Sequence, residues 1–271
     1  MEFFDSHAHV NDEKFDEDRE EIIKQIYESG VTKFMCAGYN LESSIKALNI
    51  ANSHECIYTT VGISPNDVKE TIEETKKDIE QIKKLVLEDR KLHKSKIVGI
   101  GEIGLDYYWN KENKEIQKFA FIEQIKIANE LNLPIVIHTR DAIADTIAIL
   151  KENSVNKKGV FHCCPQNMEL VKEGIKLGFY ISCAGPYTFK NAKNSAEIIK
   201  IIPDEKILIE TDSPYLAPEP KRGTRNDSRN VKLIAEKIAK EKDEMLETVA
   251  RNTYKNACKI FEIWHRVGKM V

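Results

Sequence analysis

Short β-branched runs alternate with longer stretches of helical period along this chain of 271 residues. The runs fall at 2–6, 31–37, 56–62, 96–101, 134–138, 158–162, 178–182 and 206–211, and each predicts a strand. Several are apolar throughout, among them Phe34-Met35-Cys36, Ile97-Val98, Ile135-Val136-Ile137 and Ile207-Leu208-Ile209. Continuous apolarity, rather than alternation, marks strands buried on both faces, as in parallel sheets. Between the runs, Val231, Ile234, Ala235, Ile238 and Ala239 keep helical spacing, while Phe119, Ile122, Ile125, Ala128 and Leu131 recur every three residues. Both spacings predict helices with one apolar stripe facing a sheet.

Eight strand–helix pairs in about 250 residues match the rhythm of a (β/α)8 TIM barrel, an α/β fold. A doubly wound open sheet usually carries a glycine-rich phosphate loop after its first strand. Here that place holds Asp5-Ser6-His7-Ala8-His9-Val10, without glycine. No linker rich in Pro, Gly or Ser divides the chain, so residues 1–271 read as a single domain. The segment 243–264 predicts one or two extra C-terminal helices packed outside the barrel.

Composition narrows the class. With 41% hydrophobic and 31% charged residues the chain reads as soluble and globular. No apolar run approaches the roughly 20 residues of a membrane helix, and the N-terminus lacks a signal-peptide pattern. No membrane association and a cytoplasmic location are expected, and no obligate protein partner is evident. Six cysteines without a CxxC pattern suit reduced, buried thiols. A net charge of −3 gives no bulk attraction to nucleic acid, so polyanion binding would need a local basic patch.

Barrel enzymes carry their reactive groups at the C-terminal ends of the strands. At those predicted ends stand His7 and His9, Glu102, His138, His162, and Glu210-Thr211-Asp212. His7 and His9, one residue apart, project to the same side of a strand. Four of the seven histidines fall at strand ends, whereas His54, His93 and His265 read as ordinary surface or loop residues. Four imidazoles and two carboxylates exceed what one tetrahedral zinc uses. Two divalent metals sharing a bridging carboxylate fit better, with zinc, magnesium or manganese among the ions the ligand types admit.

With those residues assembled, the chain resembles the TatD family of metal-dependent deoxyribonucleases, within the amidohydrolase superfamily. The resemblance is carried by Asp5-Ser6-His7-Ala8-His9, Gly101-Glu102-Ile103-Gly104-Leu105-Asp106-Tyr107-Tyr108, Pro134 through Ala142, Thr188 through Ala192, and Glu210 through Pro218. It implies that His7, His9 and Asp212 hold one metal, that His138 and His162 hold the second, and that Glu102 bridges. It implies DNA as substrate, single-stranded or at frayed ends, cut by 3′-to-5′ exonuclease action. Family members often carry His where this chain has Ser64, Phe-Ser-Gly where it has Cys164-Pro165-Gln166, and His where it has Lys221. These departures bear on substrate preference rather than on the ligand set.

For catalysis, Asp212 is the expected base toward the attacking water, and Glu102 the bridging ligand. Residues 218–229 hold Lys221, Arg222, Arg225 and Arg229 against Glu219 and Asp227, directly after the eighth strand where barrels often bind phosphate. Arg222 and Arg225 are expected to contact phosphate, with Arg140 and Lys190 beside them. Arg229 reads equally as a brace for the following helix. Tyr107, Tyr108 and Trp109 serve either base stacking or packing over the barrel mouth. Two rival functions share these residues: hydrolysis of a small amide, ester or amine substrate, and metal binding without turnover.

Overall fold

The computed structural model describes residues 1–263, so His265 and the end of the predicted domain lie outside the described residues. Eight strands follow the chain: β1 (Phe3–Ala8), β2 (Val31–Ala37), β3 (Ile57–Val61), β4 (Ile97–Asp106), β5 (Ile135–Arg140), β6 (Gly159–Phe161), β7 (Tyr180–Cys183) and β8 (Ile207–Ile209). They pair in sequence order, each parallel to its neighbour. The helices that alternate with them include α1 (Arg19–Glu28), α2 (Leu41–Ser53), α3 (Ile72–Asp89) and α4 (Lys114–Glu130). After these come α5 (Ile143–Glu152), α6 (Met168–Lys176), α7 (Ser195–Ile201), α8 (Val231–Lys242) and α9 (Leu246–Ile260). The result is a nearly closed (β/α)8 barrel. No helix among the described residues is long and apolar enough to cross a membrane.

The unbroken apolarity of the strands has a direct structural cause. Phe4, Met35, Tyr58, Val98, Val136, Val160, Tyr180 and Leu208, one from each strand, meet in a cluster inside the barrel. Their neighbours Phe3, Phe34, Ile97, Ile135, Ile137, Ile207 and Ile209 pack outward against the helices. Both faces are thus apolar. The segment 243–264 supplies one helix in its described part, α9, and it does more than pack outside. Ala257, Cys258, Ile260, Phe261 and Ile263 join the interior cluster and close the barrel at the end opposite the rim.

On α4 the observed stripe differs from the expected one. Phe119 and Ile122 are only half-buried, whereas Gln117, Ala120, Phe121, Gln124, Ile125 and Ala128 are buried. A period of three drifts away from the sheet over four turns, because the helix repeats every 3.6 residues. The two glutamines on that face act as backbone clamps. Gln124 exchanges hydrogen bonds with the N–H and carbonyl of Ile63, and Gln117 does the same with Asp106. They pin the segment beyond β3 and the end of β4, which border the rim.

The seam between β8 and β1 is closed beyond the regular ladder. Asp212 N–H donates to the His7 carbonyl at 2.9 Å, and His9 N–H donates to the Ser213 carbonyl at 2.7 Å. Buried Asp5 accepts from both the backbone and the hydroxyl of Thr211. These bonds set the first histidine pair directly beside Asp212.

Candidate metal centre

β4 and β5 continue past their expected ends, to Asp106 and Arg140, so Glu102 and His138 sit within strands rather than at their tips. Two register shifts aim the side chains. From the Asp5–Phe34 pair to the Ala8–Cys36 pair, β1 advances three residues while β2 advances two. The extra residue changes the inward parity, from Phe4 and Ser6 to His7 and His9. β4 does likewise, advancing three residues from Ile100 to Ile103 against two on β5. Gly104 permits close approach there, because a Cβ at its position would lie 2.0 Å from the His138 carbonyl oxygen. Its φ of +139° is also one that side chains rarely adopt.

The geometry centres on Glu102. Its Oε2 faces Nε2 of His7 at 3.5 Å and Nε2 of His9 at 3.8 Å. Its Oε1 faces Nδ1 of His138 at 3.0 Å and Nε2 of His162 at 3.4 Å. Oδ1 of Asp212 completes the first group, 3.3 Å from His9 and 3.8 Å from His7. The rings of His7 and His162 stack with centroids 4.0 Å apart. All six side chains expected at the centre therefore come together, and one carboxylate lies between two nitrogen sets. His54, by contrast, pairs with Glu20 at the end of α2.

Three of the four rings are fixed by their far nitrogen. Nδ1 of His9 meets the Ala37 carbonyl at 3.1 Å, Nε2 of His138 meets Asp106 at 2.9 Å, and Nδ1 of His162 meets Glu210 at 3.3 Å. Such outer partners select the tautomer and turn the free lone pair inward. Asp106 and Glu210 were not assigned these roles from sequence. A usable signal existed for Glu210, which stands two residues from Asp212 just as His7 stands two from His9.

Charge within the cluster fits a divalent cation. Burial works to raise the Glu102 carboxyl, but the charge of His162 and bonds from His138, His162 and His7 hold it well below the usual range. Burial likewise opposes a charged His162, yet Glu102 and Glu210 raise it well above the ordinary imidazole value. Asp212 is lowered against its burial by the His9 bond and the neighbouring imidazoles. The buried carboxylates thus favour positive charge on the imidazoles His9, His138 and His162, whereas burial lowers His7. A divalent cation supplies the same charge through the same nitrogens. His7, His9 and Glu102 form one ligand group and Glu102, His138 and His162 another, while Asp212 groups with His7 and His162 and also lies 3.3 Å from His9.

The expected substrate contacts divide. Arg140, Lys190 and Arg222 are exposed; the guanidinium of Arg140 lies over Tyr108 and that of Arg222 over Phe189. Arg225 corrects the expectation. It pairs with both oxygens of Asp18 and with the Lys14 carbonyl, so its planar fork is already filled. Arg229 is similarly engaged by Asp227 and Gln25 and braces the start of α8. Tyr107 is a second correction: it is buried, with its hydroxyl donating to Asp145 at 2.7 Å, so its ring offers no face to a base. Its neighbours Tyr108 and Trp109 are exposed instead.

Nearly the whole chain is similar to known metal-dependent hydrolases. A family model described as TatD related DNase matches residues 4–262. The chain is 41% identical over 261 residues to YabD of Bacillus subtilis, an uncharacterized metal-dependent hydrolase, covering 96% of this chain and 99% of that protein. It is 33% identical over 267 residues to the metal-dependent hydrolase YcfH of Escherichia coli, covering 97% of each. The fold superimposes on the crystal structure of YJJV, a TatD homolog from Escherichia coli, with a TM-score of 0.89 at 23% identity, covering 96% and 98% of the two chains.

Proposed function

This chain belongs to the TatD-related DNase family of metal-dependent hydrolases, and on that premise we propose that it hydrolyses phosphodiester bonds of DNA. The substrate is a single strand or a frayed end, digested from 3′ to 5′, and the compartment is the cytoplasm, where DNA repair supplies such ends. The observation that carries the reading is the division of Glu102 between two histidine sets on a barrel that also exposes Arg140, Lys190 and Arg222.

His7, His9 and Asp212 would hold one divalent ion, His138 and His162 the other, and Glu102 would serve both. Zinc, magnesium or manganese bound there would supply Lewis acidity toward phosphoryl oxygen and acidify water, zinc most strongly, toward a pKa of about 7. Asp212, kept ionised by the imidazoles around it, takes the proton of the attacking water. Arg140, Lys190 and Arg222 hold phosphate oxygens along the rim, Arg140 and Arg222 through planar forks.

Metal analysis by mass spectrometry, paired with cleavage of a labelled oligonucleotide, tests this reading. Two equivalents of metal and chelator-sensitive digestion of the single strand are expected. Turnover of cyclic amides or simple esters without any cleavage of DNA would overturn the substrate assignment.

A further inference from the structure

We propose that Tyr108, Trp109 and Arg140 form a subsite that stacks one base of a single strand next to the metal centre. The inference rests on the phosphodiester reading for the position of the scissile bond, but its own observations are separate. Trp109 is 68% exposed and Tyr108 49%, while the adjoining Tyr107 is 8% exposed and anchored through Asp145. Rings that merely closed the barrel mouth would be buried as Tyr107 is. Trp109 is the most exposed of the aromatic residues described.

The two exposed rings meet edge to face, with centroids 4.9 Å apart and planes at 88°. The guanidinium of Arg140 lies in the corner, 3.8 Å from the Tyr108 centroid and 5.5 Å from that of Trp109. The corner therefore offers an apolar π-face beside a positive charge. A nucleotide offers the complement, a flat base beside an anionic phosphate. Base stacking on aromatic rings tolerates any base, and arginine adds a contribution through its own plane. Bases already stacked in a duplex lack a free face, so the corner selects single strands.

The corner is also tied to the chemistry. Oδ1 of Asp106 accepts from the backbone N–H of Tyr108 at 2.9 Å and of Trp109 at 3.1 Å, while Oδ2 meets Nε2 of His138 at 2.9 Å. The Arg140 carbonyl accepts from Tyr107 N–H at 2.9 Å, holding the β5 end against the aromatic turn. One carboxylate thus fixes both a histidine of the centre and the turn that carries the rings. Base and scissile phosphate are held in one frame.

The test compares two phosphorothioate-linked single strands of equal length, one of thymidylate and one base-free, by fluorescence anisotropy on the metal-loaded protein. The native chain is expected to bind the thymidylate strand roughly 10-fold more tightly. Trp109→Ala is expected to erase that preference and Trp109→Phe to restore most of it. Stacking also quenches Trp109 emission, read in a Trp264→Phe background. A preference unchanged in Trp109→Ala, or no preference in the native chain, would overturn the subsite. If bases are preferred and Trp109 is quenched but no strand is cleaved, the subsite stands and the nuclease reading fails. Cleavage of both strand types at equal rates in ordinary phosphodiester linkage, without base preference in binding, has the opposite meaning.

Discussion

Nε2 of His138 lies 2.9 Å from Oδ2 of Asp106, on the far side of the ring from Glu102. A histidine held in this way donates its outer N–H to the carboxylate and directs its other lone pair into the centre. Asp106→Asn removes the acceptor while keeping the shape of the side chain. Metal affinity and turnover are expected to fall about 10- to 100-fold. Titration of the metal-free variant with zinc, followed by calorimetry, checks the first, and unchanged affinity would remove Asp106 from this role.

Asp212→Asn tests the base, with turnover compared at a metal content equal to that of the native chain. The carboxamide preserves volume within the seam, where Asp212 N–H bonds the His7 carbonyl. General-base assistance contributes about 10²- to 10⁴-fold. Turnover on single-stranded DNA is expected to drop by that amount with the thermal midpoint close to that of the native chain. Near-native turnover would identify another base.

The arginines of the loop after β8 are expected to behave differently from one another. Arg222→Ala removes a cation whose guanidinium lies 4.2 Å from the Phe189 ring centroid and, among the described residues, forms no ion pair. It is expected to weaken DNA binding at low salt and to reduce the slope of log affinity against log salt by about 1. Arg225→Ala breaks the pair with Asp18 instead, so the slope stays and stability falls by about 0–1 kcal/mol, as for other surface pairs. Equal slopes for both variants and the native chain would exclude Arg222 from the phosphate path.

These contrasts show where sequence ceases to be sufficient. The barrel was readable because strands buried on both faces leave an apolar signature that does not depend on neighbours. The six clustered residues were readable because strand order places every C-terminal end on one rim. Arg225 and Arg222 look alike in the chain, and only the approach of Asp18, just before α1, distinguishes them. Asp106 serves a histidine 32 residues away, a relation created by the pairing of Asp106 with Arg140 between β4 and β5. The same holds for Tyr107, whose hydroxyl is anchored by Asp145 on α5, beyond the helix that follows it. Pairings set by tertiary approach have no local pattern to reveal them.

Metal loading should invert the pH dependence of stability. In the metal-free protein, burial opposes charge on His138 and His162, but Asp106, Glu102 and Glu210 raise both above the ordinary imidazole value. Groups raised on folding stabilise fully below their unfolded value, about 6.5, and that contribution is lost as pH rises through their folded values. Once a cation occupies the same nitrogens, the rings must be neutral, which depresses their folded pKa. Stability is then present above about 6.5 and lost as pH falls. The gap in thermal midpoint between loaded and chelator-treated protein is therefore expected to widen from acid to mildly alkaline pH. At ion concentrations about 100-fold above the dissociation constant it should reach roughly 5–10 °C for each ion bound. Differential scanning fluorimetry across that range checks it, and a gap that stays constant with pH would mean that the imidazoles do not exchange protons for metal.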